Sequence, residues 1–292
     1  MNGGMNNGMN GMLAALARDR RMAFGGAVLV GMAALAVAAP WLAPFDPIAQ
    51  GDIVRTRLLA PFTPGPEGTI RWLGTDQLGR DVLSRLLHGA RISLVVGFLA
   101  ALLSVALGTA LGAIAALGRS WLDRAVMALT DAALALPRLV LLLALVALFQ
   151  PSTAVIVLVL AFTGWMPVAR LARAEMRGVL VRPYAAAARA AGVGPLRLLG
   201  RHLLPNALTP LLVATALGVG NAITLEAGLA FLGLGIAAPA PSWGNMIATG
   251  RDALVQGPWV ATIPGLAVAL AVVGCNLLAD GLRDQLDPRT AG

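Results

Sequence analysis

Residues 92–118 run for 27 positions without a charged side chain. About 20 apolar residues in a helix cross the ~30 Å hydrocarbon core of a bilayer. That one run makes an ordinary soluble fold hard to build, and the rest of the chain repeats it. Residues 22–45 are uncharged over 24 positions, and 259–279 are uncharged too. Residues 203–225 form another such run, which continues past Glu226 to about Leu234. Two weaker runs lie between them: 125–149, which contains Asp131, Pro137 and Arg138, and the short 154–169 beyond Pro151-Ser152. The pattern predicts an all-α membrane protein with six transmembrane helices. Composition agrees, with 58% hydrophobic and 12% charged residues in 292. Soluble domains carry about 45–50% and about 25%, so polar surface is too scarce here to cover a soluble core. A cleaved signal peptide ending near residues 36–39 is the alternative for the first run, which is longer than a typical signal core.

The charges say which side faces the cytoplasm and exclude several functions. All 22 basic residues are Arg. Without Lys there is no Walker A phosphate-binding loop and no Schiff-base chemistry. The lone Cys275 cannot form an intrachain disulfide, and His88 and His202 have no metal-ligand spacing. No cofactor, metal or catalytic residue is expected. With six spans, one side receives 14 Arg and the other 7, leaving Arg138 in the membrane. The Arg-rich side should be cytoplasmic, with both termini there. Topology thus accounts for the net charge of +8, and nucleic-acid binding is not needed to explain it.

The expected organisation follows. Residues 1–21 are a disordered cytoplasmic tail, opening with MNGGMNNGMNGM, and 22–45 are the first transmembrane helix. Residues 46–91 are an extracytoplasmic segment ending in a short helix along the interface, capped by Asp76. Residues 92–282 are a five-helix core with a cytoplasmic loop at 170–205, and 283–292 are a cytoplasmic tail. Within the loop, Pro183 suits a first helical position, and 184–191 are Ala-rich. Gly192 is a natural helix stop, and Pro195 can open a second short helix to about Leu203 before Pro205. Helix, glycine corner and helix form a shape suited to docking a partner.

The loop's AAARAAG, then nine residues, then HLLP resembles the EAA signature of permease subunits of ATP-binding-cassette importers. Ala187, Ala188, Gly192, Leu204 and Pro205 match that pattern; Ala186 stands where it has Glu, and His202 where it usually has Ile. GTDQLGRDVLSRLLHGARISL, LEAGLAFLGLGIAAPAPSWGNMI and LADGLRDQLDPR are similar, in order, to the peptide and nickel branch, and to its second permease subunits. The resemblance implies a type I importer permease fold in a bacterial inner membrane. It implies a pore shared with a homologous permease subunit, two cytoplasmic ATPase subunits on the loops, and an extracytoplasmic binding protein. Di- or oligopeptides are the implied cargo, with a nickel chelate as the alternative. With Ala186 in the acidic position, backbone groups, Tyr184 or Arg189 are left to anchor the ATPase. A secondary transporter or an intramembrane enzyme would leave the loop signature unexplained, and neither a repeat nor a catalytic pair is visible.

Two more groups stand out. Asp131, Arg138 and Glu226 lie within apolar runs, where charges usually pair or face a wet interior. Arg138 is expected to face the bundle interior or the permease partner, paired with an acid; Asp131 and Glu226 are the acids in reach. In the extracytoplasmic loop 238–252, Trp243 is expected to anchor at the lipid interface or to meet the binding protein, and Asn245 beside it is the position from which contact with that protein would be read.

Overall fold

The computed structural model describes residues 19–66, 68–150, 152–237 and 239–286. The expected N-tail up to residue 18, Pro151, Ala238 and the end of the C-tail from 287 lie outside the described residues. Among the described residues the architecture is helical apart from one two-stranded ribbon. Helix α1 is Arg20–Leu42, and α2 is the single turn Ile53–Thr56. The ribbon follows, with β1 (Thr63–Pro64) antiparallel to β2 (Ile70–Arg71). Then come α3 (Val82–Leu117), α4 (Ser120–Leu134), α5 (Arg138–Ala147), α6 (Thr153–Phe162) and α7 (Trp165–Leu180). The loop helices are α8 (Pro183–Ala190) and α9 (Pro195–Leu198), and the chain closes with α10 (Leu204–Phe231), α11 (Trp243–Gly250) and α12 (Trp259–Leu286).

Among the described residues, four stretches are long and apolar enough to cross a membrane: Arg20–Leu42, Val82–Leu117, Pro195–Phe231 and Trp259–Gln285. Two further candidates are bent pairs. Pro137 fixes its own φ, has no N–H to donate and pushes the preceding residue off the helical region. Accordingly α4 and α5 meet at 87°, so the expected third span is two helices rather than one. The α6–α7 pair bends by 41° at Thr163-Gly164.

Three expected boundaries are corrected. The interfacial helix before residue 92 is not separate. Asp81, not Asp76, caps it by accepting the Ser84 N–H at 2.8 Å, and α3 then runs unbroken for 36 residues. No Pro falls within α3, so nothing ends it at the membrane surface. The fourth span does not stop at 169, because α7 carries the helix to Leu180 through the first Arg residues of the expected loop. The second loop helix and the fifth span are also continuous. A π-helical turn at Leu199–Leu203 links α9 to α10, shifting the hydrogen-bond register just before Pro205, which has no N–H to give.

Helix α3 is the centre of the bundle, packing against α1, α6, α7 and α10. Small residues let the backbones approach, as membrane helices require when lipid is as apolar as Leu. Gly108 and Gly112 lie one turn apart on α3. A Cβ on them would sit 2.6 Å from the Trp165 carbonyl oxygen and 2.7 Å from that of Ala169 on α7.

The segment before α3 is held by a polar knot. Thr75, Asp76, Arg80, Asp81, Ser84 and Arg85 are all buried. Asp76 Oδ1 accepts from the backbone N–H of Leu78 and Arg80, and its Oδ2 accepts Arg80 Nε at 2.7 Å. Arg85 lies against the same carboxylate at 3.6 Å and donates to the Pro47 carbonyl at 2.9 Å. Trp259 Nε1 donates to the Thr75 carbonyl at 3.1 Å, tying the start of α12 to the knot.

Candidate functional site

The loop places two short helices on either side of a glycine corner. Pro183 opens α8 at the first helical position, and Pro195 opens α9. Gly192 between them has φ +80°, a left-handed conformation that β-branched residues rarely adopt. The Val193 N–H donates back to the Ala188 carbonyl at 3.1 Å, the closing bond of a glycine-stopped helix. Below, Ala185, Leu198 and Leu203 are buried in one cluster with Met176 and Val179 of α7. Above, Tyr184, Ala186, Ala187 and Arg189 are exposed, Ala188 is half-buried, and Leu196 is 82% exposed. Leu204 and Pro205 are exposed in the first turn of α10.

Arg189 and Tyr184 have partners within the chain. Arg189 Nη2 donates to the Leu180 carbonyl at 3.0 Å, fastening α8 to the end of α7. The Tyr184 ring faces the His202 ring at 6.1 Å between centroids. His202 appeared in the sequence only as a departure from the usual Ile. Its separation of eighteen positions from Tyr184 spans the glycine corner, so no local periodicity could reveal the contact.

A second feature was missed entirely. Asp123 on α4 accepts from both Arg173 and Arg177 of α7, and Asp131 pairs with Arg170. These three Arg residues had been counted only as loop charge. Their spacing puts them on one face of α7, opposite two acids eight residues apart on α4. That periodicity is readable once both segments are known to be helices.

The expected intramembrane pairs do not form. Asp131 is taken by Arg170, and Glu226 is fully buried elsewhere. Ser242 Oγ donates to Glu226 Oε1 at 2.8 Å, and Ser93 Oγ lies 3.4 Å from Oε2. Arg138 heads α5 beyond the 87° bend and makes no ion pair among the described residues. Its Nη2 donates to the Leu160 carbonyl at 3.4 Å, and its buried Nε has no partner.

Trp243 is likewise corrected. It is 2% exposed, neither a lipid anchor nor a free docking residue. Its Nε1 donates to the Leu86 carbonyl at 3.1 Å and its backbone N–H to Ser93 Oγ at 3.0 Å. Ser242 caps α11 by accepting the Asn245 N–H, and Asn245 Nδ2 donates to the Ile236 carbonyl at 3.2 Å. The pre-α11 segment is therefore clasped to α3 and α10 through Glu226.

Comparison with known proteins agrees with this architecture. Residues 108–292 match the family model described as binding-protein-dependent transport system inner membrane component. Residues 11–61 match the N-terminal TM domain of oligopeptide transport permease C. The chain belongs to the first of these families. The permease is 43% identical to the di/tripeptide transport system permease protein DppC of Pseudomonas aeruginosa, over 87% of this chain and 83% of that protein. It is 42% identical to the dipeptide transport system permease protein DppC of Escherichia coli, over 87% of this chain and 84% of that protein. It also resembles a chain of the inward-facing MetNI methionine ABC transporter, with TM-score 0.55 at 16% identity, covering 68% of this chain and 96% of that chain. The permease thus has the type I importer permease fold and is a multi-pass inner-membrane protein.

Proposed function

We propose that this permease is one of two homologous membrane subunits that form the path of an ATP-driven peptide importer. The peptide reading rests on its likeness to the two DppC proteins. Each bent helix pair makes one crossing, giving six spans, with the Arg-rich side and both termini in the cytoplasm. The observation that carries the partner assignment is the shape of the loop. Helices α8 and α9 are packed beneath into the cluster with α7, yet Ala186, Ala187 and Leu196 remain uncovered. A small-residue apolar surface on a rigid base suits a cytoplasmic ATPase subunit. The direct continuation from α9 through the π-helical turn into α10 supports a mechanical role. Closure of two ATPases would move α8 and α9 as a body and lever α10, opening the path between subunits. An extracytoplasmic binding protein would deliver cargo on the opposite face.

The test is assembly and topology together. Co-expressed with a homologous permease and its ATPases, the chain should copurify with them and support ATP-dependent peptide uptake from a loaded binding protein. Reporter fusions after Pro61 and after Gly194 should report opposite sides. A chain that transports without ATPase subunits, or fusions on one side, would overturn the reading.

A further inference from the structure

Near the middle of the bundle lies a cavity of about 240 Å³, open on one side, with Ser104, Arg138, Leu160, Gly164, Gly218 and Asn221 among its lining. The residues come from α3, α5, α6, the α6–α7 break and α10. Thirteen residues of α3 separate Ser104 from the helix end at Leu117. That is about 20 Å of helix, which puts the cavity deep in the membrane. A guanidinium stays charged under all relevant conditions, and a charge at this depth normally finds a counter-charge or lines a wet path. Arg138 has no acid among the described residues. Asp131 is held by Arg170, Asp123 by Arg173 and Arg177, and Glu226 by Ser242 and Ser93. What it has is one long bond to the Leu160 carbonyl and a buried Nε with no partner. Also lining the cavity is the exposed Asn221, whose amide makes no hydrogen bond within the described residues. The cavity therefore holds a fixed cation and a free amide, and lacks an anion.

We propose that Arg138 and Asn221 form a carboxylate site in the transport path, taking the C-terminal carboxylate of a peptide in transit. The proposal rests on the peptide-importer reading above. Guanidinium geometry matches a carboxylate with two parallel N–H donors. The C-terminal carboxylate is common to every unmodified peptide whatever its side chains, so one cation serves a mixed cargo. Few donors face the site, and the binding is accordingly weak enough to release, as passage requires.

The experiment uses the assembled importer in proteoliposomes with its partner permease, ATPases and binding protein. Uptake of a di- and tripeptide library is read by mass spectrometry beside the same library amidated at the C terminus. Arg138→Gln should assemble in wild-type yield. Its uptake of free-carboxylate peptides should fall about tenfold or more, the scale of a hydrogen bond to a charged group, toward the rate for the amides. Arg138→Lys should recover part of the preference, and Asn221→Leu should lower it about threefold, the scale of one neutral hydrogen bond. An unchanged carboxylate-to-amide ratio in Arg138→Gln overturns the site. So does a loss of assembled complex that is repaired by neutralising an acid on the partner permease, which would make Arg138 an assembly residue. If Arg138→Gln does not fold, Asn221→Leu decides alone, and an unchanged ratio there also overturns the site. Failure of the wild-type complex to import peptides at all would instead overturn the importer reading.

Discussion

The polar knot at residues 74–85 and the loop at 183–198 both look like signatures in the sequence, and the chain treats them oppositely. In the knot, charged side chains are hidden. Arg85 is 1% exposed and Asp81 likewise, each with partners from the same chain. In the loop, apolar side chains are displayed, with Leu196 at 82% exposure and Ala186 and Ala187 uncovered beside it. Burying charge costs several kcal/mol unless it is paired, so buried charges paired within one chain, as Asp76 with Arg80 and Asp81 with Arg71, belong to that chain's fold. Apolar surface left uncovered is what the proposed ATPase docking would use. On the proposed reading, the difference separates a motif that builds the protein from one that meets a partner.

The largest test of that contrast is Arg85→Ala. It strands the Pro47 carbonyl and removes a cation beside Asp76. Asp76 keeps Arg80, so the cost comes from the stranded carbonyl and the emptied space, about 2–4 kcal/mol. The variant should lose most of its folded yield in detergent, measured by thermal unfolding. A wild-type transition would mean that the knot is dispensable.

The next effect falls on the other side of the comparison. Gly192→Val meets no neighbour, since nothing lies within 4 Å of an added Cβ. It does force a β-branched residue to φ +80°. The left-handed conformation costs about 1–2 kcal/mol per residue, a strain confined to the corner between α8 and α9. The protein should still insert and bind its partners, while ATP hydrolysis and uptake separate in reconstituted vesicles. Normal uptake per ATP would remove the corner as the mechanical link.

A smaller effect probes a region between the two, the α4–α7 ladder. Asp123→Asn leaves Arg173 and Arg177 without their shared carboxylate, which is mostly buried while Arg177 is half-exposed. Partial exposure screens the loss, so about 1–2 kcal/mol is expected. Hydrogen exchange should rise along α4 and spare α10. Uniform protection in both helices would show that the ladder does not hold α4.

How much of this was legible follows from the range of the interactions. Uncharged runs, Pro183, Pro195 and Gly192 act within a turn or two, and each appears where periodicity and backbone chemistry put it. Boundaries were less legible, because a helix does not stop where its polarity changes. Arg85 and Arg91 are polar, yet α3 passes through them; Arg170 to Arg177 read as loop, yet they line a helix. Long-range pairings were not legible at all. Glu226 and Arg138 both stood out as intramembrane charges, and no pattern could tell that one is clasped by Ser242 and Ser93 while the other faces a cavity. Trp243 was misread for the same reason. Its bond to Leu86 spans 157 positions, and only the fold brings them together.

The smallest expected effect is the sharpest test of the loop's half of the comparison. Ala186 is exposed on α8 at the position where the EAA pattern has Glu. Ala186→Glu adds an acid near the helix N-terminus, where the dipole favours negative charge by about 0.3–1 kcal/mol when little screened. It also stands three positions before Arg189, a helical pairing distance worth about 0.2–0.5 kcal/mol. Against these, Ala is the better helix former by a few tenths. A new partner would also draw the Arg189 guanidinium from the Leu180 carbonyl. The contributions nearly cancel, so the isolated permease should melt within about 0.5 kcal/mol of wild type, as surface substitutions do. Any larger consequence should appear only with the ATPases present, as a change in their affinity for the permease. If the isolated chain were instead destabilised as much as by Asp123→Asn, the outer face of α8 would be packed within this chain. The loop would then belong with the knot, as fold rather than as docking surface.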